Sequence, residues 1–410
     1  MSDVILPTDA KSAEQAVKWA LAEGKTLEVA GSGSRQGIGR PTRTDLTLDL
    51  RALAGITLYE PDELVLSARA GTPLAEIEAL LSEKAQQLAF EPMDCGLILG
   101  GMARRGTIGG ALAAGLSGPR RLKAGAARDH LLGFHAVSGR GEAFKSGGRV
   151  VKNVTGYDLC KLMAGAWGTL AVLTDVTLKT LPRPEIEETV ILCGLDPAKA
   201  VAAMVSAMAS PADVSGAAHL PPQAAALMPA TEVAGAGAAV TALRLEGFAA
   251  SLPHRKSTLQ ARLRSFGEVD AIGPAASCQL WQAVRDAAPF AASGSEAERP
   301  LWRISTAPSC GAKLAESIAN ETDGQVIFDW AGGLIWLLLE PRPDAGAALV
   351  RRLLAPLGGH ATLVRAPASV RAAVDVFPPQ DAALLALTKR IKESFDPKRV
   401  LNPGRMWAGV

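Results

Sequence analysis

With 410 residues, the chain is longer than a typical single domain and can bury at least one large core, so two domains are expected. Lysine and arginine total 43 against 41 aspartate and glutamate, a balance that gives no electrostatic reason to expect nucleic acid or an anionic membrane surface. The stretch Met1 to Pro7 lacks the basic and apolar regions of a secretory signal, and the longest apolar run, Leu334 to Leu339, is too short to span a bilayer. A cytoplasmic location is expected, with peripheral docking on the inner membrane through partners left open. The five cysteines, Cys95, Cys160, Cys193, Cys278 and Cys310, are scattered without a C-x-x-C pair. They read as reduced thiols, with no metal and no iron–sulfur cluster bound by this chain.

In chain order, Ser12 to Leu21 reads as a short helix and Thr26 to Ala30 as a strand. Leu46, Leu48 and Leu50, then Leu64, Leu66 and Ala68, alternate with other residues at the period of half-buried strands. Thr72 and Pro73 offer an N-cap and first-turn pair, and Leu74, Ile77, Leu80 and Leu81 continue it at helical spacing, predicting a helix to about Lys84. Ser138-Gly139-Arg140 sits between two apolar runs as a hairpin signal. Val172, Thr174, Val176 and Leu178 mark another β-rich stretch.

Two prolines at Leu181-Pro182-Arg183-Pro184 place a boundary. Beyond it an alanine-rich stretch reads strand 186–193, helix 197–208, strands 217–220 and 239–246, helix 258–266 and strand 269–272. After a helix around 279–287 come strand 301–306, helix 313–320, strands 325–330 and 334–340, helix 345–354 and strand 360–365. This is βαββαβ twice, a ferredoxin-like repeat that would build one antiparallel sheet with helices on one face. Asp381 to Ser394 is a last helix, with Leu384, Leu385, Leu387 and Ile391 on one stripe. The expected class is α+β, divided into 1–182, 185–366 and 378–410.

Two glycine-rich stretches carry the candidate site. Gly31-Ser32-Gly33-Ser34 follows the strand at Thr26, and Gly106-Thr107-Ile108-Gly109-Gly110 opens a run of small residues reaching Gly115, Ser117 and Gly118. Glycine lets a backbone lie against a large ligand, and free N–H groups make an anion cradle, so the stretches are read as two halves of a diphosphate clamp. Each could instead be a plain tight turn. Neither is a Rossmann G-x-G-x-x-G nor a P-loop.

Together with Arg128-Asp129, the run from Lys152 through Asn153 and Thr155 to Gly156-Tyr157-Asp158-Leu159, Gly168-Thr169-Leu170-Ala171-Val172, and the tail from Phe395 to Arg405, these motifs resemble the FAD-binding domain of the vanillyl-alcohol-oxidase (PCMH) type. The resemblance covers roughly the first 180 residues and the last 20, in the manner of motif inference. It implies a two-subdomain FAD-binding unit plus a sheet-bearing cap, with the tail returning to the flavin unit. It also implies flavin contacts at Asn153, Gly156, Tyr157, Gly168, Val172 and Asn402, whereas Asp158 could equally be a helix N-cap.

The first loop, Ser32 to Gln36, has no histidine, so the resemblance implies noncovalent FAD. Within the family the likeness is to FAD-binding subunits of multi-chain glycolate oxidases, which implies a partner flavin subunit carrying the substrate chemistry and an iron–sulfur subunit. Catalytic relatives carry a histidine-bearing metal motif in the C-terminal third that is missing between Leu301 and Val376. No catalytic residue is assigned, although Arg303 and Arg365 could bind a substrate carboxylate. A self-sufficient 2-hydroxy-acid dehydrogenase of the D-lactate type and a non-flavin scaffold remain alternatives.

Overall fold

The computed structural model describes residues 3–149 and 156–410. Its first helix, Ala10–Ala22, starts where a short polar pair can satisfy its free donors: the Asp9 carboxylate accepts from the Ser12 N–H at 2.7 Å, and the Ser12 hydroxyl accepts from the Asp9 N–H. Ala13, Ala16, Val17 and Ala20 form its buried face. That face covers a small parallel sheet in which Asp3–Ile5 and Leu27–Ala30 flank Leu46–Asp49.

A five-stranded antiparallel sheet follows, in the order Ile56–Glu60, Val65–Arg69, Ala171–Lys179, Leu131–Ser138, Ala143–Gly147. Helix Leu74–Glu83 buries Leu74, Ile77 and Leu81. The expected Thr72 cap is corrected by the structure: Pro73 occupies the cap position, and the Thr72 hydroxyl instead donates to the Arg69 carbonyl and accepts from the Gly55 N–H. A neighbouring turn had the stronger claim on that hydroxyl.

The second sheet has eight antiparallel strands. Its first half runs Val269–Ile272, Ile186–Cys193, Val240–Gly247, Gly216–Leu220, and its second half Gln325–Asp329, Leu334–Leu338, Leu301–Ser305, His360–Arg365. Each half is one ferredoxin-like unit, and the two join edge to edge where His219 pairs with Phe328. Every residue of Gly216–Leu220 and Leu334–Leu338 is buried. A strand buried on both faces tells that the sheet is covered twice, by its own helices and by the N-terminal part of the chain.

Three helices of this region begin earlier than their sequence expectation: Leu252–Leu263 rather than 258–266, Pro274–Arg285 rather than 279–287, and Pro308–Ala319 rather than 313–320. Each carries proline in its first turn, where the missing N–H costs no intrahelical bond and the fixed φ suits the helix. In these three places proline starts a helix.

Buried ion pairs fasten the two regions. Arg244 reaches Glu91 at 2.8 Å and Arg120 reaches Glu246 at 2.7 Å, with Arg120 also 3.1 Å from Glu91. The last helix, Ala382–Phe395, leaves Leu384 and Leu387 exposed and buries Lys392 instead. The chain then returns beside the first region: the Leu27 N–H donates to the Val400 carbonyl, and the Asn402 N–H to the Leu27 carbonyl.

Candidate functional site

The two glycine bends meet. Strand Leu27–Ala30 runs directly into Gly31, and a Cβ at Gly31 would overlap the Thr107 hydroxyl. Gly33 turns the chain at φ +75°, a region where side chains are strained. Opposite, Thr107 caps helix Ile108–Ala114 by accepting from the Gly110 N–H at 3.3 Å. A Cβ at Gly109 would come 2.7 Å from that of Ala70, so the helix lies flat on the strand beneath it.

The bends do not contribute equally. The Ile108 N–H donates to the Thr72 carbonyl and the Gly109 N–H to the Ala70 carbonyl, so the second bend spends its donors on the fold. Among the described residues, the N–H groups of Ser32, Gly33 and Ser34 have no partner within the chain. The symmetric amide clamp expected from sequence is therefore corrected to a one-sided one: the first bend donates, and the second offers a flat glycine wall and a hydroxyl.

A cavity of about 690 Å³ opens between them, lined by Gly31 to Gln36, Thr107, Gly109, Gly110, Trp167, Gly168 and Arg405, with Val29, Leu50, Ala171 and Leu173 among its apolar walls. A second groove, of about 730 Å³, shares Ser32, Gly33 and Ser34 and continues toward Gly101, Met102 and Arg105.

Sequence reasoning missed two cations of this wall. Arg35 donates through Nη2 to the Met93 carbonyl at 2.7 Å, and Arg405 through Nη2 to the Arg35 carbonyl at 3.1 Å, while its guanidinium lies 5.5 Å from the centre of the Trp167 ring. The Nε of each is buried without a partner. Burial lowers the pKa of Arg405 from its usual value, so a nearby anion would relieve a real cost. Position was the available signal: Arg35 directly follows the first bend, and Arg405 closes the tail motif.

Other residues named from sequence fall elsewhere. Gly106 and Ile108 lie behind the wall, Gly106 next to Leu74 and Arg35, and Ile108 wholly buried in the core. Gly115 ends the helix in the left-handed region against Gly165. The Ser117 hydroxyl accepts from the Ala127 N–H, and the Gly118 carbonyl accepts from Trp330 Nε1 at 3.1 Å, at the seam with the large sheet. Val172 is fully buried with Val137 and Leu401, away from the cavity, because its strand turns that side chain to the opposite face. Tyr157 is 90% exposed and Gly156 is exposed; Asn153 lies outside the described residues. Asp158 holds the N-cap position of helix Leu159–Met163 without a side-chain cap bond. Asn402 does not line the cavity but pins both its sides, accepting from the Val29 N–H and donating to the Trp167 carbonyl, each at 2.9 Å.

The two arginines named on the large sheet part company. Arg365 is spent on carbonyls of Arg299, Ile98 and Phe290. Arg303 makes no hydrogen bond or ion pair among the described residues and instead lies 4.9 Å from the Trp330 ring centre, which Arg121 approaches to 4.4 Å. Beside them, burial pushes the Asp329 carboxyl up to about 7. Burial, then the charges of Arg303 and Arg121, lowers the pKa of His360.

Residues 2–147 match the FAD binding domain family and residues 379–406 the C-terminal domain of FAD linked oxidases. Glycolate oxidase subunit GlcE of Escherichia coli is 33% identical over 393 residues, covering 96% of this chain and 95% of that one. The chain belongs to the FAD-linked oxidases. A D-lactate dehydrogenase of Archaeoglobus fulgidus is 28% identical over 181 residues, covering 44% of this chain and 39% of the relative. The fold is that of p-cresol methylhydroxylase, with a TM-score of 0.70 at 14% identity, covering 98% of this chain and 88% of that one.

The residues present fit FAD, this family's cofactor. Side chains at Gly31 or Gly110 would crowd the cradle, Gly110 having Thr107 Oγ1 only 3.1 Å from where its Cβ would sit. Partnerless N–H groups at Ser32 to Ser34 and partnerless Nε atoms on Arg35 and Arg405 supply the donors that a diphosphate or a flavin carbonyl requires. No helix among the described residues is long and apolar enough to cross a membrane.

Proposed function

We propose that this chain is the FAD-binding subunit of a multi-chain glycolate oxidase, in which glycolate becomes glyoxylate and electrons pass to an iron–sulfur partner. The observation that carries the reading is the end-to-end similarity to GlcE, a glycolate oxidase subunit, which runs through the flavin motifs and the large sheet alike. The working division is an FAD-binding unit of residues 1–182, completed by the returning 378–410, and a cap of residues 185–366.

Bound FAD supplies a two-electron acceptor. In this chain the N–H groups of Ser32, Gly33 and Ser34, with Arg405, would hold the diphosphate, and Trp167 and Gly168 would form the wall beside it. Attachment is noncovalent, since no histidine stands in the first loop. Asn402 acts at one remove, keeping Val29 and Trp167 at the spacing the cavity needs.

The test is purification of the chain alone and together with candidate partners. The expected outcome is a yellow protein with releasable FAD that does not turn over glycolate by itself and gains that activity in a complex with a second flavin subunit and an iron–sulfur subunit. Turnover by the lone chain with an artificial acceptor would establish instead the self-sufficient dehydrogenase. A colourless protein that cannot be reconstituted with FAD would establish the scaffold.

A further inference from the structure

The last helix, Ala382–Phe395, buries a charge rather than its leucines. Leu384 and Leu387 stay exposed, whereas the Lys392 side chain is 2% exposed and that of Asp396, one turn on, is fully buried. All three donors of the ammonium are used: Nζ donates to the Asp396 carboxylate at 2.8 Å, to the Thr169 carbonyl at 2.6 Å and to the Leu401 carbonyl at 2.9 Å. The Asp396 carboxylate in turn accepts from the N–H groups of Val400 and Leu401, each at 2.9 Å. The pair is saturated by the chain itself.

Its partners are backbone groups beside the cofactor cavity. Thr169 follows Trp167 and Gly168, which line that cavity, and Leu401 precedes Asn402 in the tail whose Arg405 lines it too. The two segments are in close contact: Gly168 sits at φ +69°, and a Cβ there would come 2.8 Å from the Asn402 amide nitrogen. The tail turn also carries Arg399 at φ +55° and Asn402 at φ +42°, left-handed values that side chains adopt only when the surroundings enforce them. From a third side the hairpin at Gly139 closes on the pair, since a Cβ at Gly139 would overlap Asp396 Oδ1.

Stability alone does not account for such a pair. Burial lowers the pKa of Lys392, which the Asp396 charge opposes. A buried ion pair is often no more stabilising than apolar side chains of similar volume, because desolvation offsets the attraction. What apolar side chains lack is direction: they cannot draw the Thr169 and Leu401 carbonyls to one point. We infer that Lys392 and Asp396 are positioning residues for the cofactor, a buried clasp that fixes the Trp167–Gly168–Thr169 wall against the Leu401–Arg405 tail and so sets how tightly FAD is held. Neither lines the cavity, and both act through Gly168, Asn402 and Arg405. The clasp rests on FAD as the cofactor and is independent of the partners proposed above.

The experiment compares the full chain, stripped of FAD and reloaded, in three forms: the parent, the neutral double variant Lys392→Met with Asp396→Asn, and Gly139→Ala. The last presses on the Asp396 carboxylate while leaving both charges in place. Three quantities are read: the melting temperature of the stripped chain, the dissociation constant for FAD by equilibrium dialysis, and the visible circular dichroism of the bound flavin. The double variant should melt close to the parent when stripped, yet bind FAD at least about tenfold more weakly and with altered flavin circular dichroism. Gly139→Ala should shift affinity and flavin signal in the same direction, and it decides alone if the double variant does not fold. Lys199→Met, an exposed lysine of the cap, should change none of the three. FAD affinity within about twofold of the parent with unchanged flavin circular dichroism would overturn the inference. A loss of affinity that only tracks the melting temperature of the stripped chain would overturn it as well, by reducing the pair to a structural brace.

Discussion

Asn402 and Val29 are joined by one hydrogen bond across 373 residues of sequence: the Val29 N–H donates to the Asn402 side-chain oxygen at 2.9 Å. The same amide donates through its nitrogen to the Trp167 carbonyl at 2.9 Å. Val29 precedes the first glycine bend and Trp167 precedes Gly168, so a single buried side chain fixes the distance between two walls of the cavity.

Replacing Asn402 with alanine leaves the Val29 N–H and the Trp167 carbonyl buried and unpaired. The expected loss of stability is about 1–3 kcal/mol per orphaned group, measured by denaturant titration. FAD retention should fall with it, because the wall spacing loosens. Unchanged stability with unchanged FAD content would remove Asn402 from this role.

Gly31→Val adds a side chain where the Thr107 hydroxyl already stands. The two bends must then separate, and FAD should fail to co-purify while circular dichroism stays close to that of the parent chain. Gly110→Trp is expected to do the same by filling the cradle. Full flavin stoichiometry in either variant would place the dinucleotide elsewhere.

Arg405→Leu removes a buried guanidinium whose Nε lacks a partner and which lines the cavity. FAD affinity is expected to drop by about ten- to a hundredfold, the equivalent of roughly 1.5–3 kcal/mol for a charged hydrogen bond. Equilibrium dialysis against FAD measures it, and an affinity within twofold of the parent would show that Arg405 only braces the Arg35 turn.

Acid should loosen the seam. Burial alone would raise the pKa of Glu91, but the Arg244 and Arg120 guanidiniums hold it down to about 2, well below the usual carboxylate range. A carboxylate depressed on folding adds stability above its unfolded pKa, and that contribution fades as pH falls from about 4.5 toward about 2. Glu91→Gln should cost up to about 3–5 kcal/mol near neutrality, since buried Arg244 keeps only the more distant Glu246 carboxylate, 3.4 Å from its Nε, as an ion-pair partner. It should also flatten the pH dependence of stability between those limits. A variant whose acid unfolding curve overlays the parent's would show that other carboxylates dominate.

Much of the architecture could be read along the chain because it is written in local terms. Alternation and turn residues marked Ile186–Cys193, helix Pro197–Met208 and His360–Arg365 to the residue, and the doubled βαββαβ order named the eight-stranded sheet. The ordered glycine motifs pointed to FAD because close backbone approach is a property of glycine itself. What the sequence could not decide was which polar groups remain free. Ile108 and Gly109 look like amide donors until Thr72 and Ala70 are found accepting from them. Arg365 and Arg303 are equivalent as letters on strands that pair, yet the first donates through Nε and Nη1 to three carbonyls and the second makes no hydrogen bond through its side chain among the described residues. Those outcomes depend on partners brought from tens to hundreds of residues away, and a group's chemistry is set by what the folded chain leaves unpaired around it.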